Sequence, residues 1–329
     1  MKMRTAVLAL FVFATLQLAG RAGAANAETL EKGYPSRPVT IIAPATGGAS
    51  DAVARIVAAA LSRSLHAPFI VDARSGAGGN VATETVARAS ADGYTLLLAL
   101  NNMLTINPAL YRKVRFNPVK DFEPIALLAT SRYLLAANSG VRANTVGELI
   151  QEAKASSKQI SYASSGFGTP SHLMGVLFGA DTGTEFQHVP YRSMAGATAD
   201  LLSGQVQFMC GSMSGLMPMV RGGKLKALGV TGQARSPLAP DIPTIAETVP
   251  GFEFEAWYAL LAPAGTPPGI VQTLSSALRA ALASEEVRDR LLQQGAEAAP
   301  GDAGELSMRI GDDLQKWTKI IATIGLRMD

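Results

Sequence analysis

Val39-Thr40-Ile41-Ile42-Ala43-Pro44-Ala45-Thr46-Gly47-Gly48-Ala49-Ser50-Asp51 is the stretch that decides the fold. A β-prone apolar run ends at a proline, and glycines and hydroxyl residues follow. Val53, Ile56, Val57, Leu61 and Leu65 then recur at helical spacing over residues 51–65. The pattern is a buried strand, a turn and an amphipathic helix, the repeating unit of an α/β protein.

The alternation continues outward. Residues 69–71 form the next strand, Gly76-Ala77-Gly78-Gly79-Asn80 leads into a helix over 81–89, and 95–100 make a third strand. Residues 125–136 are apolar and β-like, with a crossover at Ser131-Arg132. Thr145 and Glu148 have capping-box spacing before a helix ending near Ala155, as do Thr244 and Glu247 further on. Residues 160–164 are a strand, and Thr169-Pro170 starts a helix over 170–178 as N-cap and first helical residue. Strands follow at 206–210, 225–230 and 256–262, then helices at 270–282, 284–293 and near 303–324. The expected sheets are therefore mainly parallel.

A chain of 329 residues exceeds what one core usually serves. Two lobes are expected, residues 28–130 with 251–329 and residues 131–250. Apolar residues at 48% supply the cores, and only 17% charged residues argue against long disordered tails.

The N-terminus has the form of an export signal. Lys2 and Arg4 precede an apolar run over residues 6–18, and Ala25-Asn26-Ala27 is a small-residue cleavage site before Glu28. A membrane-spanning helix needs about 20 apolar residues, more than this run provides. The expected product is soluble and periplasmic, and Cys210, the only cysteine, rules out an internal disulfide. Residues 1–27 hold Lys2, Arg4 and Arg21 and no acid, so their removal leaves 26 basic and 26 acidic side chains. No basic cluster remains for a nucleic-acid partner.

Two strand–loop–helix units carry the chemistry. The first contains Thr46, Gly47, Gly48, Ser50 and Asp51; the second is Ser164-Ser165-Gly166-Phe167-Gly168-Thr169-Pro170-Ser171-His172. A helix start presents unpaired N–H groups and partial positive charge, so it receives an anion without Lys or Arg. Glycine allows close backbone approach, and Ser50, Ser165 and Thr169 offer hydroxyls. Two such loops in opposite halves of an exported chain point to a cleft between lobes.

Tyr34-Pro35-Ser36-Arg37-Pro38, Gly76-Ala77-Gly78-Gly79-Asn80, Asp92-Gly93-Tyr94-Thr95-Leu96, Pro118-Val119-Lys120-Asp121-Phe122 and His188-Val189-Pro190-Tyr191-Arg192 occur in order. Asp200-Leu201-Leu202-Ser203-Gly204-Gln205-Val206, Pro240-Asp241-Ile242-Pro243-Thr244 and Ala262-Pro263-Ala264-Gly265-Thr266-Pro267 continue the series. In these motifs the chain resembles the substrate-binding proteins of tripartite tricarboxylate transporters, the Bug receptors, over essentially its whole mature length.

The resemblance implies a Venus-flytrap receptor that binds a small organic carboxylate, works without a cofactor or metal, and hands its solute to membrane transporter subunits. It also implies Thr46, Gly47, Gly48, Ser50 and Asp51 as one grip and Ser165, Gly166, Gly168, Thr169 and His172 as the other; a monomer is expected. The chain departs from the family pattern twice. Pro44-Ala45-Thr46-Gly47-Gly48 is one residue shorter than the usual first loop and lacks its aromatic residue. Gly211-Ser212 stands where many relatives have an Asp after the strand, which disfavours an amino-acid ligand and brings Ser212 into the expected site.

Two alternatives stay open. A signalling receptor of the same fold would present its solute to a sensor protein. A hydrolase would use Ser165, His172 and Asp200, but no Gly-x-Ser-x-Gly elbow supports it. His66, His172 and His188 show no metal-ligand spacing, and Gly76 to Asn80 does not complete a dinucleotide fingerprint.

Overall fold

The computed structural model describes residues 33–328. The expected export signal and cleavage site lie outside the described residues. Among the described residues, eleven strands form two sheets. The strands are β1 Val39–Ala43, β2 Phe69–Ala73, β3 Thr95–Leu100, β4 Phe122–Ser131, β5 Tyr133–Asn138 and β6 Ser161–Ser164. They continue with β7 Gln187–Pro190, β8 Phe208–Ser212, β9 Leu225–Val230, β10 Ala256–Pro263 and β11 Glu297–Gly301. The first sheet has the order β11-β4-β10-β3-β1-β2 and the second β7-β6-β8-β5-β9.

Strand direction decides where a site can lie. β1 pairs in parallel with β2 and β3, and β4 points the same way because antiparallel β10 separates it from β3. In the second sheet β6, β7 and β8 are parallel, β5 alone is reversed, and β9 points with β8. Each sheet therefore runs mainly one way. Only Arg132 separates β4 from β5, and the returning chain reaches β10 at Ala256, opposite Ser131. Tyr133 pairs with Ser212 and Leu134 with Val230. The carboxyl ends of the co-directional strands in both sheets thus meet at the crossovers, the edge where α/β proteins receive ligands.

The apolar pattern holds these edges in place. Val53, Ile56, Val57 and Leu61 of the helix Gly48–Leu65 are buried against Ile41, Leu96 and Leu98, with Ile270, Leu274 and Leu278 beside them. Each such side chain contributes roughly 1.5–3 kcal/mol on burial. β3 reads Thr-Leu-Leu-Leu-Ala-Leu because both its faces are covered, the other by Met103, Leu104, Trp257, Leu306 and Ile310. In the second sheet, Leu135, Phe208 and Cys210 pack on Leu173, Met174 and Phe178. The C-terminal helix Ala303–Ile324 serves both sheets: Leu306 and Ile310 lie with the first, Trp317 and Ile321 with the second.

Several local expectations need correction. The first long helix begins at Gly48, three residues before Asp51, because Gly47 takes the N-cap position without a side chain. Thr169 is an N-cap residue, but its hydroxyl makes no cap bond. Thr145 accepts the Glu148 N–H, while the Glu148 carboxylate turns to the amide of Asn144 instead of completing the box. The Thr244 box is complete but opens only a three-residue turn.

Candidate functional site

Three of the helix starts along the facing edges carry the expected site residues. At the first, Gly47 and Gly48 have φ of 76° and 74°, a backbone that favours glycine. The helix Gly48–Leu65 has no side-chain cap, and the amides of Gly48, Ala49 and Ser50 have no acceptor among the described residues. Thr46, Gly47 and Gly48 are exposed. Asp51 Oδ2 accepts the Gly47 N–H and the Arg55 Nε–H, both at 3.1 Å. The Arg55 bond chiefly, helped by the Gly47 amide and opposed by burial, keeps the Asp51 carboxyl below its ordinary range. Asp51 therefore stays an acceptor that fastens the loop and does not itself donate to an anion.

The second start is tied internally. Ser165 N–H donates to Ser171 Oγ at 3.1 Å, and Gly166 N–H to Ser164 Oγ at 3.1 Å. Gly168 N–H donates to His172 Nδ1 at 3.0 Å, and Thr169 Oγ1 to Gly166 O at 2.7 Å. The hydroxyls of Ser165, Thr169 and Ser171 cluster within 3.2 Å of one another through Ser171. Among the described residues the amides of Phe167, Ser171 and His172 have no acceptor. Gly168, at φ 70°, packs so closely on Leu110 and Met328 that an added Cβ would lie 2.7 Å from Leu110 Cδ2.

The third start is Ser212, N-cap of the helix Met213–Arg221, whose Oγ accepts the Gly215 N–H at 3.3 Å. Near β7, Tyr191 donates its hydroxyl to Asp200 at 2.6 Å. Burial first, then this bond, pushes the Tyr191 phenol up to about 12.

The structure joins Ser165, Gly166, Gly168, Thr169 and His172 in one bonded unit, whereas of Thr46, Gly47, Gly48, Ser50 and Asp51, contiguous at the other helix start, only Gly47 and Asp51 are bonded to each other. No hydrogen bond or ion pair links the two units among the described residues. His172 differs from expectation in orientation. Its ring is buried and stacked on His188 at 4.1 Å, so it shapes the loop from behind. Burial, then the neighbouring His188, lowers its pKa to about 4.

The sequence reading missed the asparagines after β3. Asn107 Nδ2 donates to Gly78 O at 3.0 Å and to Asn80 Oδ1 at 2.7 Å, and Asn102 Nδ2 also reaches Gly78 O at 3.0 Å. These bonds fix the Gly76-to-Asn80 turn beside the segment carrying Leu110. The available signal was Asn101-Asn102 directly after an apolar strand. The Oδ1 atoms of Asp51, Asn101 and Asn107 are buried without a partner.

No Ser–His–Asp relay forms. Ser165 bonds Ser171, Asp200 bonds Tyr191, and His172 bonds a backbone amide. Ser164 lies 2.6 Å from His188 Nε2, but its side chain is wholly buried and unavailable to a substrate. Among the described residues there is no group of three metal-ligating side chains, and no helix is long and apolar enough to cross a membrane.

Comparison with known proteins bears on this geometry. The family described as Tripartite tricarboxylate transporter family receptor matches residues 53–326. The solved periplasmic binding protein BugD is 34% identical, with a TM-score of 0.78, covering 90% of this chain and 100% of that one. An R. palustris protein solved with adipate is 33% identical with a TM-score of 0.81, over 89% and 99% of the two chains. MatC from Rhodopseudomonas palustris, solved with bound malate, is 32% identical with a TM-score of 0.76, over 88% and 100%.

Proposed function

Because this chain belongs to the tripartite tricarboxylate transporter receptor family, a family of solute-binding proteins and not of enzymes, we propose that it captures a small organic carboxylate and delivers it to a transporter of that type. The two sheets are taken as its lobes, residues 28–130 with 251–329 and residues 131–250. It works in the periplasm, free of the membrane once the signal is removed. The observation that carries the reading is a pair of glycine-rich helix starts at facing carboxyl edges, each with free amides. Adipate and malate, bound by two similar proteins, support a dicarboxylate of about this size.

Electrostatics sets what else is needed. Each helix start contributes about 0.3–1 kcal/mol toward an anion, more when partly buried, whereas micromolar binding needs about −8 kcal/mol. Hydroxyls, amide hydrogen bonds and closure over the solute must supply the rest. The free amides of Gly48, Ala49 and Ser50 would take one carboxylate. That of Phe167, with the Ser165 hydroxyl that Ser171 holds from behind, would take the other.

A thermal-shift screen of mono-, di- and tricarboxylates tests the reading. At 100 times Kd the stabilisation is about 2.7 kcal/mol, a shift of several degrees at roughly 2–4 °C per kcal/mol. If no carboxylate in the screen moves the melt, the ligand class is wrong.

A further inference from the structure

We propose that His172 and His188 are positioning residues for carboxylate capture, a neutral stacked pair that holds the second loop in its receiving shape. The proposal rests on the carboxylate-binding reading above. Gly168 N–H donates to His172 Nδ1, so that nitrogen must present a lone pair and the ring proton must sit on Nε2. His188 Nε2 meets Ser164 Oγ at 2.6 Å, and the same Oγ accepts the Gly166 N–H. Two imidazoles thus anchor the amides of Gly166 and Gly168, one through a serine and one directly. The intervening Phe167, 54% exposed, sits edge-on to both rings at 5.5 and 5.0 Å, and its own amide is left free for a ligand.

The surroundings favour neutral rings. The ring centroids lie 4.1 Å apart with the planes inclined at 28°, where two imidazolium charges would repel. Tyr162 of β6 stacks on His188 at 5.0 Å and donates its hydroxyl to the His172 carbonyl; burial raises its pKa. Glu185, before β7, lines a surface groove with both rings, and Cys210, its thiol raised by burial, lies behind Tyr162. No carboxylate or cation bonds either ring among the described residues. Burial lowers the pKa of both histidines to about 4. A proton on His172 Nδ1 would set a donor against the Gly168 N–H and force the loop to move. Affinity should therefore fall in acid beyond what the ligand's own titration explains.

The test pairs two measurements on the full mature protein. NMR of histidine-15N, glycine-15N protein without ligand, from pH 8 to pH 3.5, should show His172 as the Nε2–H tautomer. The Gly168 amide signal should move with the His172 titration, whose midpoint lies well below 6.5. Calorimetric titration with malate and adipate then compares His172→Phe, which keeps the stack and loses the acceptor, with His172→Asn, which keeps an acceptor oxygen near the Nδ1 position. His172→Phe should weaken binding about tenfold or more. His172→Asn should bind close to wild type and lose the extra acid sensitivity. A folded His172→Phe with unchanged affinity, or a Gly168 amide indifferent to the His172 titration, overturns the proposal. If neither anion binds wild type at pH 7.5, that is evidence against the carboxylate reading, and the NMR still decides for or against the buttress.

Discussion

The two glycine-rich turns share a composition and differ in how they are held. The first has exposed glycines, free amides and empty space beside Gly47 and Gly48. The second has its Ser165, Gly166 and Gly168 amides bonded, its hydroxyls clustered, two imidazoles behind it and Leu110 against its tip. On the proposed reading, one grip would be built before the ligand arrives and the other would be open. The same residue types would then serve preorganisation in one turn and access in the other, and the contrast in how they are held appears only once their partners are known.

Acid should separate the loops most. His172 of the second loop and His188 of β7 behind it both have folded pKa values near 4, below the ordinary 6.5, so the folded state refuses protons that the unfolded chain accepts. Their contribution is complete above about pH 6.5 and is lost as pH falls toward about 4, by up to about 3 kcal/mol for His172. Melting curves over that window should show the loss, and His172→Asn should reduce it. An unchanged slope in that variant would remove His172 from the account.

Matched glycine substitutions come next. Gly168→Ala meets both a left-handed backbone and Leu110, and should cost about 2–3 kcal/mol of stability. Gly48→Ala meets the backbone strain alone and should cost about 1 kcal/mol, yet it should lower carboxylate affinity because the new methyl stands among the free amides. Equal melting losses in the two variants would erase the contrast. The smallest effect is expected from Thr169→Val, which deletes the bond to Gly166 O at roughly 0.5–1 kcal/mol. A loss well beyond that in denaturant unfolding would mean that the hydroxyl cluster acts as a unit.

Much of the fold was legible because hydrophobic period and turn chemistry agreed. β1, its glycine turn and the helix Gly48–Leu65 show this, as does the strand crossover at Ser131-Arg132, where an apolar run is broken by one polar pair. The helix Met213–Arg221 gave no signal, since it contains Gly215 and Pro218 and depends on Ser212 capping and packing against β5 and β9. β11 carries Pro300 at a sheet edge, where proline is tolerated but strand patterning is weak. At the site, Ser165 and Thr169 could be picked out as hydroxyls at a helix start, but their partners could not. Asn102 and Asn107 resemble ordinary loop residues until tertiary contact brings them to Gly78.

Cys210 lies in the middle of the second sheet, fully buried, with its thiol pushed well above its ordinary pKa by burial, two residues before Ser212. An alkylating reagent can reach it only when that sheet comes apart. The rate of alkylation is therefore a built-in clock for opening of the lobe that holds the prepared grip, with no label to engineer. If the second turn is the grip proposed above, occupancy by a solute should slow the clock.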